Sequence, residues 1–173
     1  MELVLVLPSF FKTYPRALWL ALVLGLLAAD QVTKAHFSST IALNTAVEVT
    51  AWFNLVHVLN PGAAFSFLAD AGGWQRWFFI ALSVVVLLPI AVWCLLLRTE
   101  PAEHWLGAGV VAGGAGNLID RVRTGAVVDF LDFHWNTWHW PAFNLADVYI
   151  VGCLLLWMAL SFTAQPNAAK VRP

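Results

Sequence analysis

The sequence predicts an integral membrane protein, mainly α-helical, with four transmembrane helices, a small extracytoplasmic β-sheet and an aromatic segment at the membrane interface. Three observations carry this. Of 173 residues, 61% are hydrophobic and 11% charged, against about 25% charged in an ordinary soluble domain. Four stretches approach the roughly 20 apolar residues that a helix needs to cross a bilayer. The remaining polar side chains gather toward one membrane face. The length fits one domain over residues 1–173.

The opening stretch MELVLVLPSFFK starts with Glu2 rather than a basic run, and Pro8 interrupts it. It reads as an amphipathic or disordered approach to the first span and not as a cleaved signal. Lys12 and Arg16 precede that span, near 17–36. The loop from 37 to 75 is too long for a simple connector. Within it, VEVTAWFNLVHVLNPG alternates polar and apolar residues and stops at Pro61-Gly62, which predicts strands and a turn. The second span, near 77–97, is bracketed by Arg76 and Arg98, with Pro89 expected to kink it. The third, near 104–122, is the weakest by hydropathy, because GAGVVAGGAGN replaces large residues by small ones. Small residues let helices approach closely in lipid, so this helix belongs inside the bundle. Residues 129–140, rich in aromatics, read as a short helix or flap at the interface, and the fourth span lies near 145–164.

Four spans return both termini to one side. All the aspartates (Asp30, Asp70, Asp120, Asp129, Asp132 and Asp147) then fall on the opposite face or in its loops, with Trp52, Trp74, Trp77, Trp135, Trp138 and Trp140. Trp19, Trp93, Trp105 and Trp157 mark the other aromatic belt. Lys12, Arg16, Arg98, Lys170 and Arg172 lie on the terminal side, against Lys34, Arg76, Arg121 and Arg123. If carboxylates hold Lys34 and Arg121, the balance favours cytoplasmic termini. Nine Lys or Arg against ten Asp or Glu leave no basic surface for nucleic acid. Cys94 and Cys153 sit in apolar runs and read as small buried residues, not a disulfide framework or a thiolate metal site.

Asp30 and Lys34 stand at i, i+4 in the favourable order for an ion pair, serving either structure or a site. Asn117, Asp120 and Arg121 share one helix face, as a network tying helices together or as part of a site. Asn144 suits the N-cap of the fourth span, and Asp147 suits its positive end. Capping alone would account for both. It does not account for Asp129, an acid that the topology returns to the same membrane edge. Two acids meeting there resist ionising together, so one holds a proton near neutral pH. Such a pair can activate water and polarise a carbonyl. His134 and His139, with Asp132 nearby, lack the i, i+4 spacing and the glutamate of a helical zinc motif. They read as interfacial histidines, and neither a metal nor an organic cofactor is expected. Ser66 and Ser83 have no neighbouring base in sequence, which leaves serine chemistry weakly supported.

Five segments in order are DQVTK at 30–34, NPGAAFSFL at 60–68, AGGAGNLIDR at 112–121, GAVVDF at 125–130 and FNLAD at 143–147. Together they resemble the successive motifs of the lipoprotein signal peptidases, the signal peptidase II family. The resemblance implies a multi-pass aspartyl endopeptidase of the bacterial inner membrane, with its site at the periplasmic face. Its substrate would be a diacylglyceryl-modified prolipoprotein, cleaved just before the lipidated cysteine. Membrane lipid would be its other partner, and a monomer is expected to suffice. By motif position Asp129 and Asp147 correspond to the catalytic dyad, and either could begin protonated. Asp30, Lys34, Asn60, Gly62, Asn117, Asp120, Arg121 and Asn144 fall at positions that shape the site or hold substrate. The stretch AGGA replaces a commoner leading glycine by another small residue. Asp132 lies outside the motif and is left out of the dyad, although on a helix it would share a face with Asp129.

Two other functions compete. A proton-coupled transporter also uses intramembrane Asp, Lys and Arg, but these residues gather at one face and no internal repeat pairs the halves. A non-catalytic assembly subunit would use the polar cluster as helix glue, and Asp129→Asn would then chiefly lower stability.

Overall fold

The computed structural model describes residues 15–62, 67–68, 71–96 and 101–163. The approach segment with Lys12 lies outside the described residues, as do Ser66, Asp70, Arg98, Lys170 and Arg172. In chain order the elements are α1 (Pro15–Thr40), β1 (Ala46–Thr50), β2 (Phe53–Asn60), α2 (Gln75–Leu96), α3 (Pro101–Thr124), β3 (Val127–Trp135), β4 (Trp138–His139) and α4 (Leu145–Thr163). Proline opens both α1 and α3, where its missing N–H leaves no hydrogen bond unmade. Pro89 lies inside α2, which continues through it.

Among the described residues, α1, α2 and α4 are long and apolar enough to cross a membrane. The third expected span, α3, has the length but not the composition. It is the buried helix: Ala108, Ala112, Gly113, Gly116, Asn117 and Asp120 are all sequestered, and the other three helices pack around it. A Cβ at Gly113 would run into the Ala146 carbonyl of α4, and one at Gly116 into the Asp30 carboxylate of α1. Both glycines are therefore points of close helix approach. In contrast, α2 and α4 turn valines and leucines outward, including Val85, Leu88, Leu154 and Leu155. Trp19 does not join the lipid-facing belt. It is 1% exposed, packs on Ala108 and Ala112, and donates its Nε1–H to the His104 carbonyl at 2.8 Å.

The sheet is antiparallel, in the order β1-β2-β3-β4. The aromatic segment expected as a short helix or flap is thus a strand and a hairpin. VVDFLDFHW is β-branched and aromatic and pairs with β2 from Phe53↔Phe133 to Asn60↔Val127, a partner invisible to local periodicity. Asn136 turns the hairpin at φ 53°, a conformation that asparagine tolerates. Phe130 stacks on Phe37 at 4.6 Å, fastening the sheet to α1. On a strand an odd spacing sends side chains to opposite faces. Asp129 and Asp132 therefore part, and they line different cavities.

Candidate active site

The site is built outward from Lys34, which is 2% exposed. An ammonium has three N–H donors, and all are used: Asp30 Oδ2 at 2.9 Å, Asp120 Oδ2 at 2.9 Å and Asn117 Oδ1 at 2.8 Å. Because the Asn117 oxygen faces Lys34, its Nδ2 faces the other way and donates to Asp147 Oδ1 at 2.8 Å. Asp30, fully buried, accepts the Ala146 N–H at 3.0 Å through its second oxygen. That satisfies one of the orphan donors at the start of α4 and pins the helix to α1.

Asn144 caps α4 as its sequence position predicts. The Asp147 N–H donates to Asn144 Oδ1 at 3.1 Å, and the Asn144 N–H donates back to Asp147 Oδ2 at 3.2 Å. This reciprocal arrangement is a capping box. The same asparagine sends its Nδ2 to Asp129 Oδ1 at 2.7 Å and to the Val128 carbonyl at 3.2 Å. Capping and site assembly are one geometry, in which one fully buried asparagine holds the Asp129 carboxylate by its side chain and the Asp147 carboxylate by its backbone N–H. The other Asp129 oxygen accepts from Asn60 Nδ2 at 3.2 Å. The Asn60 orientation is set in turn by the Gly62 N–H, which donates to its Oδ1 at 3.0 Å. Arg121 Nη2 donates to the Gly62 carbonyl at 2.7 Å, with its guanidinium 5.0 Å from the Phe79 ring centre. Every expected site residue is thus part of one connected network.

Asp129 is 3% exposed. Burial, then the neighbouring Asp147 charge, pushes its carboxyl up to about 7, against the opposing pull of the Asn60 and Asn144 amides and the Lys34 charge. Both acids line a cavity of about 520 Å³. Its polar end carries Asn60, Asn117 and Arg121, while Val148, Val151 and Leu155 extend it along an apolar face of α4. Such a cavity can hold a peptide beside the two carboxylates, with an apolar flank for hydrocarbon.

Two participants escaped the sequence reading. Gln31 Nε2 donates to Asp120 Oδ1 at 3.0 Å and to Asp30 Oδ2 at 3.2 Å, joining the two acids that hold Lys34. Its place next to Asp30 in DQVTK was the available signal. His139, read from sequence as an interfacial histidine, presents Nδ1 to Asp132 at 3.0 Å and keeps a half-exposed side chain. Nothing in sequence spacing signals that contact. Among the described residues, no three His, Cys, Asp or Glu side chains converge as a metal site would require.

The model of the signal peptidase (SPase) II family matches residues 22–163, which contain all five motif segments. A lipoprotein signal peptidase of Paraburkholderia phytofirmans is 52% identical over 142 residues, covering 80% of this chain and 81% of its own. One from Serratia marcescens is 46% identical over 151 residues, covering 86% and 88%. Two solved bacterial membrane enzymes share the fold. One has a TM-score of 0.78 at 24% identity, covering 91% of this chain and 94% of its own. The other has a TM-score of 0.71 at 25% identity, covering 88% and 95%. With a family match over most of its length and relatives near half identity, the chain belongs to the signal peptidase II family.

Proposed function

We propose that the chain is an aspartyl endopeptidase that removes the signal peptide from diacylglyceryl-modified prolipoproteins, cleaving just before the lipidated cysteine. The observation that carries this is the bridged pair: Asp129 and Asp147, joined through Asn144, at the polar end of a cavity whose other flank is apolar. The relatives' description as lipoprotein signal peptidases supports the substrate class.

In the mechanism, Asp129 carries the proton and hydrogen-bonds the scissile carbonyl while ionised Asp147 takes a proton from water. The roles then reverse to protonate the leaving amine. The neighbouring amides hold the carboxylates in place, and Arg121 faces the peptide. Acyl chains along the Val151–Leu155 face confine the cysteine near the dyad, so that positioning is local. An active monomer is part of this proposal. In the bilayer, α3 joins α1, α2 and α4 to make four spans, sheltered from lipid by its neighbours. Cytoplasmic termini then put the sheet and the dyad on the periplasmic side of the inner membrane.

The test is to reconstitute the protein and offer it a precursor with and without the diacylglyceryl group. Only the modified form is expected to be cut, giving a product that begins with the lipidated cysteine by mass spectrometry. Equal cleavage of both forms, or a cut elsewhere, would refute the substrate assignment. Proton uptake by the same proteoliposomes without any precursor would favour a transporter.

The acidity of Asp129 makes a second prediction. A singly protonated pair is needed, so kcat/KM should fall as pH rises through about 7. The Asn60 N–H favours the ionised form, and Asn60→Leu should therefore move this alkaline limb to higher pH. A limb that stays put in the variant would show that Asp129 does not control it.

A further inference from the structure

Asp132 is a buried acid outside the dyad network, and the mechanism above makes no use of it. It is 7% exposed and accepts from Asn54 Nδ2 at 2.9 Å, across the Asn54↔Asp132 pair of β2 and β3. Its other partner is His139 Nδ1, 3.0 Å from both carboxylate oxygens, on a side chain that is half exposed. The His139 ring stacks on His134 at 5.0 Å with planes 20° apart, and both His134 ring nitrogens are buried with no hydrogen-bond partner among the described residues. His134 therefore serves as a packing platform that fixes the tilt of His139.

The position of this pair along the chain gives it leverage. After His139 the backbone runs back beside β3. The Trp140 N–H donates to the Phe133 carbonyl at 2.8 Å, and the Phe143 N–H to the Leu131 carbonyl at 3.0 Å. Pro141, between them, has no N–H to give. Trp140, Pro141 and Ala142 form a strap that is wall to two cavities at once: the dyad cavity, and a second of about 490 Å³ floored by Val56, Val58 and Asp132. The strap ends in Asn144, whose own bonds to Asp129, Asp147, Asn117 and Val128 hold it independently. One end of the strap is thus fixed by the dyad network and the other by the Trp140 backbone bond together with the Asp132–His139 contact.

We propose that Asp132 and His139 are positioning residues that clamp the 140–142 strap and so set the wall of the cavity where the peptide binds. The substrate half of this statement rests on the peptidase function proposed above. Because Asn144 is held separately, release of the clamp loosens substrate binding and spares the chemical step.

The test compares His139→Asn, which keeps an N–H where Nδ1 stands, with His139→Phe, which keeps the ring and its stacking but loses the donor. In His139→Phe, KM for the lipid-modified precursor should rise about tenfold, the scale of one lost charge-assisted hydrogen bond, with kcat within about twofold. Hydrogen exchange at the Trp140 and Phe143 amides, measured without precursor, should quicken. His139→Asn should stay near wild type in all three. His139→Ala, which sets no ring against Asp132, is a second donorless variant with the same expectation should His139→Phe not fold. Wild-type KM and exchange in the folded donorless variant, or equal damage from His139→Asn, would overturn the clamp. If the wild-type protein cuts no precursor, the peptidase function fails, and the exchange data still decide whether the clamp exists.

Discussion

Lys34→Met is expected to destabilise the fold by about 3–5 kcal/mol, the range for breaking a buried ion pair from one side. Lys34 is the shared partner of Asp30 and Asp120. Without it, two carboxylates stay buried with their principal countercharge gone. Asn117 also loses the contact that orients its amide, and with it the donor to Asp147. The measurement is thermal unfolding of the purified protein in detergent, with Asp120→Asn added as a second substitution. Because Asp120→Asn removes one uncompensated charge, it should restore part of the loss. Full stability in Lys34→Met alone would mean that the network is not what holds α1 to α3.

Asp129→Asn and Asp147→Asn should each lower kcat by about 10³–10⁴, since neither asparagine can exchange a proton and acid–base catalysis of this kind supplies up to that factor. Stability should move the other way for Asp129. Its carboxyl titrates near 7 when folded against 3.8 ordinarily, so the folded state binds a proton that the unfolded state has already released. The stability held at low pH is lost as pH rises from about 4 through 7, by about 4 kcal/mol at the plateau. An amide escapes that loss. Asp129→Asn should therefore melt at or above the wild-type temperature at pH 8 while cutting almost nothing. A helix-glue subunit predicts a lower melting temperature.

Much of this was legible because helical periodicity is local. Asp30 with Lys34, and Asn117 with Asp120 and Arg121, can be placed on single faces by counting, and Asn144 with Asp147 by the rules of helix caps. That the two faces meet at the Lys34 ammonium follows from the close approach of Gly116 to Asp30, for which the small-residue run was the signal. The strand at 127–135 was not legible, because its partner β2 is remote in sequence and an aromatic-rich stretch has no decisive period of its own. A helix there, one of the two forms the stretch allowed, would have put Asp132 beside Asp129, whereas pairing with β2 sends it to the other cavity. Trp19 shows the same limit: its place near a helix end suggested the lipid interface, but only the packing of α3 against α1 shows it to be buried.

The most direct test of the dyad is to purify Asp129→Asn and Asp147→Asn, verify their fold by melting temperature, reconstitute them, and follow cleavage of a lipid-modified precursor beside the wild type. Two folded proteins that leave the precursor intact are the expected result. Processing at the wild-type rate by either one would contradict the assignment of these two aspartates as the catalytic pair.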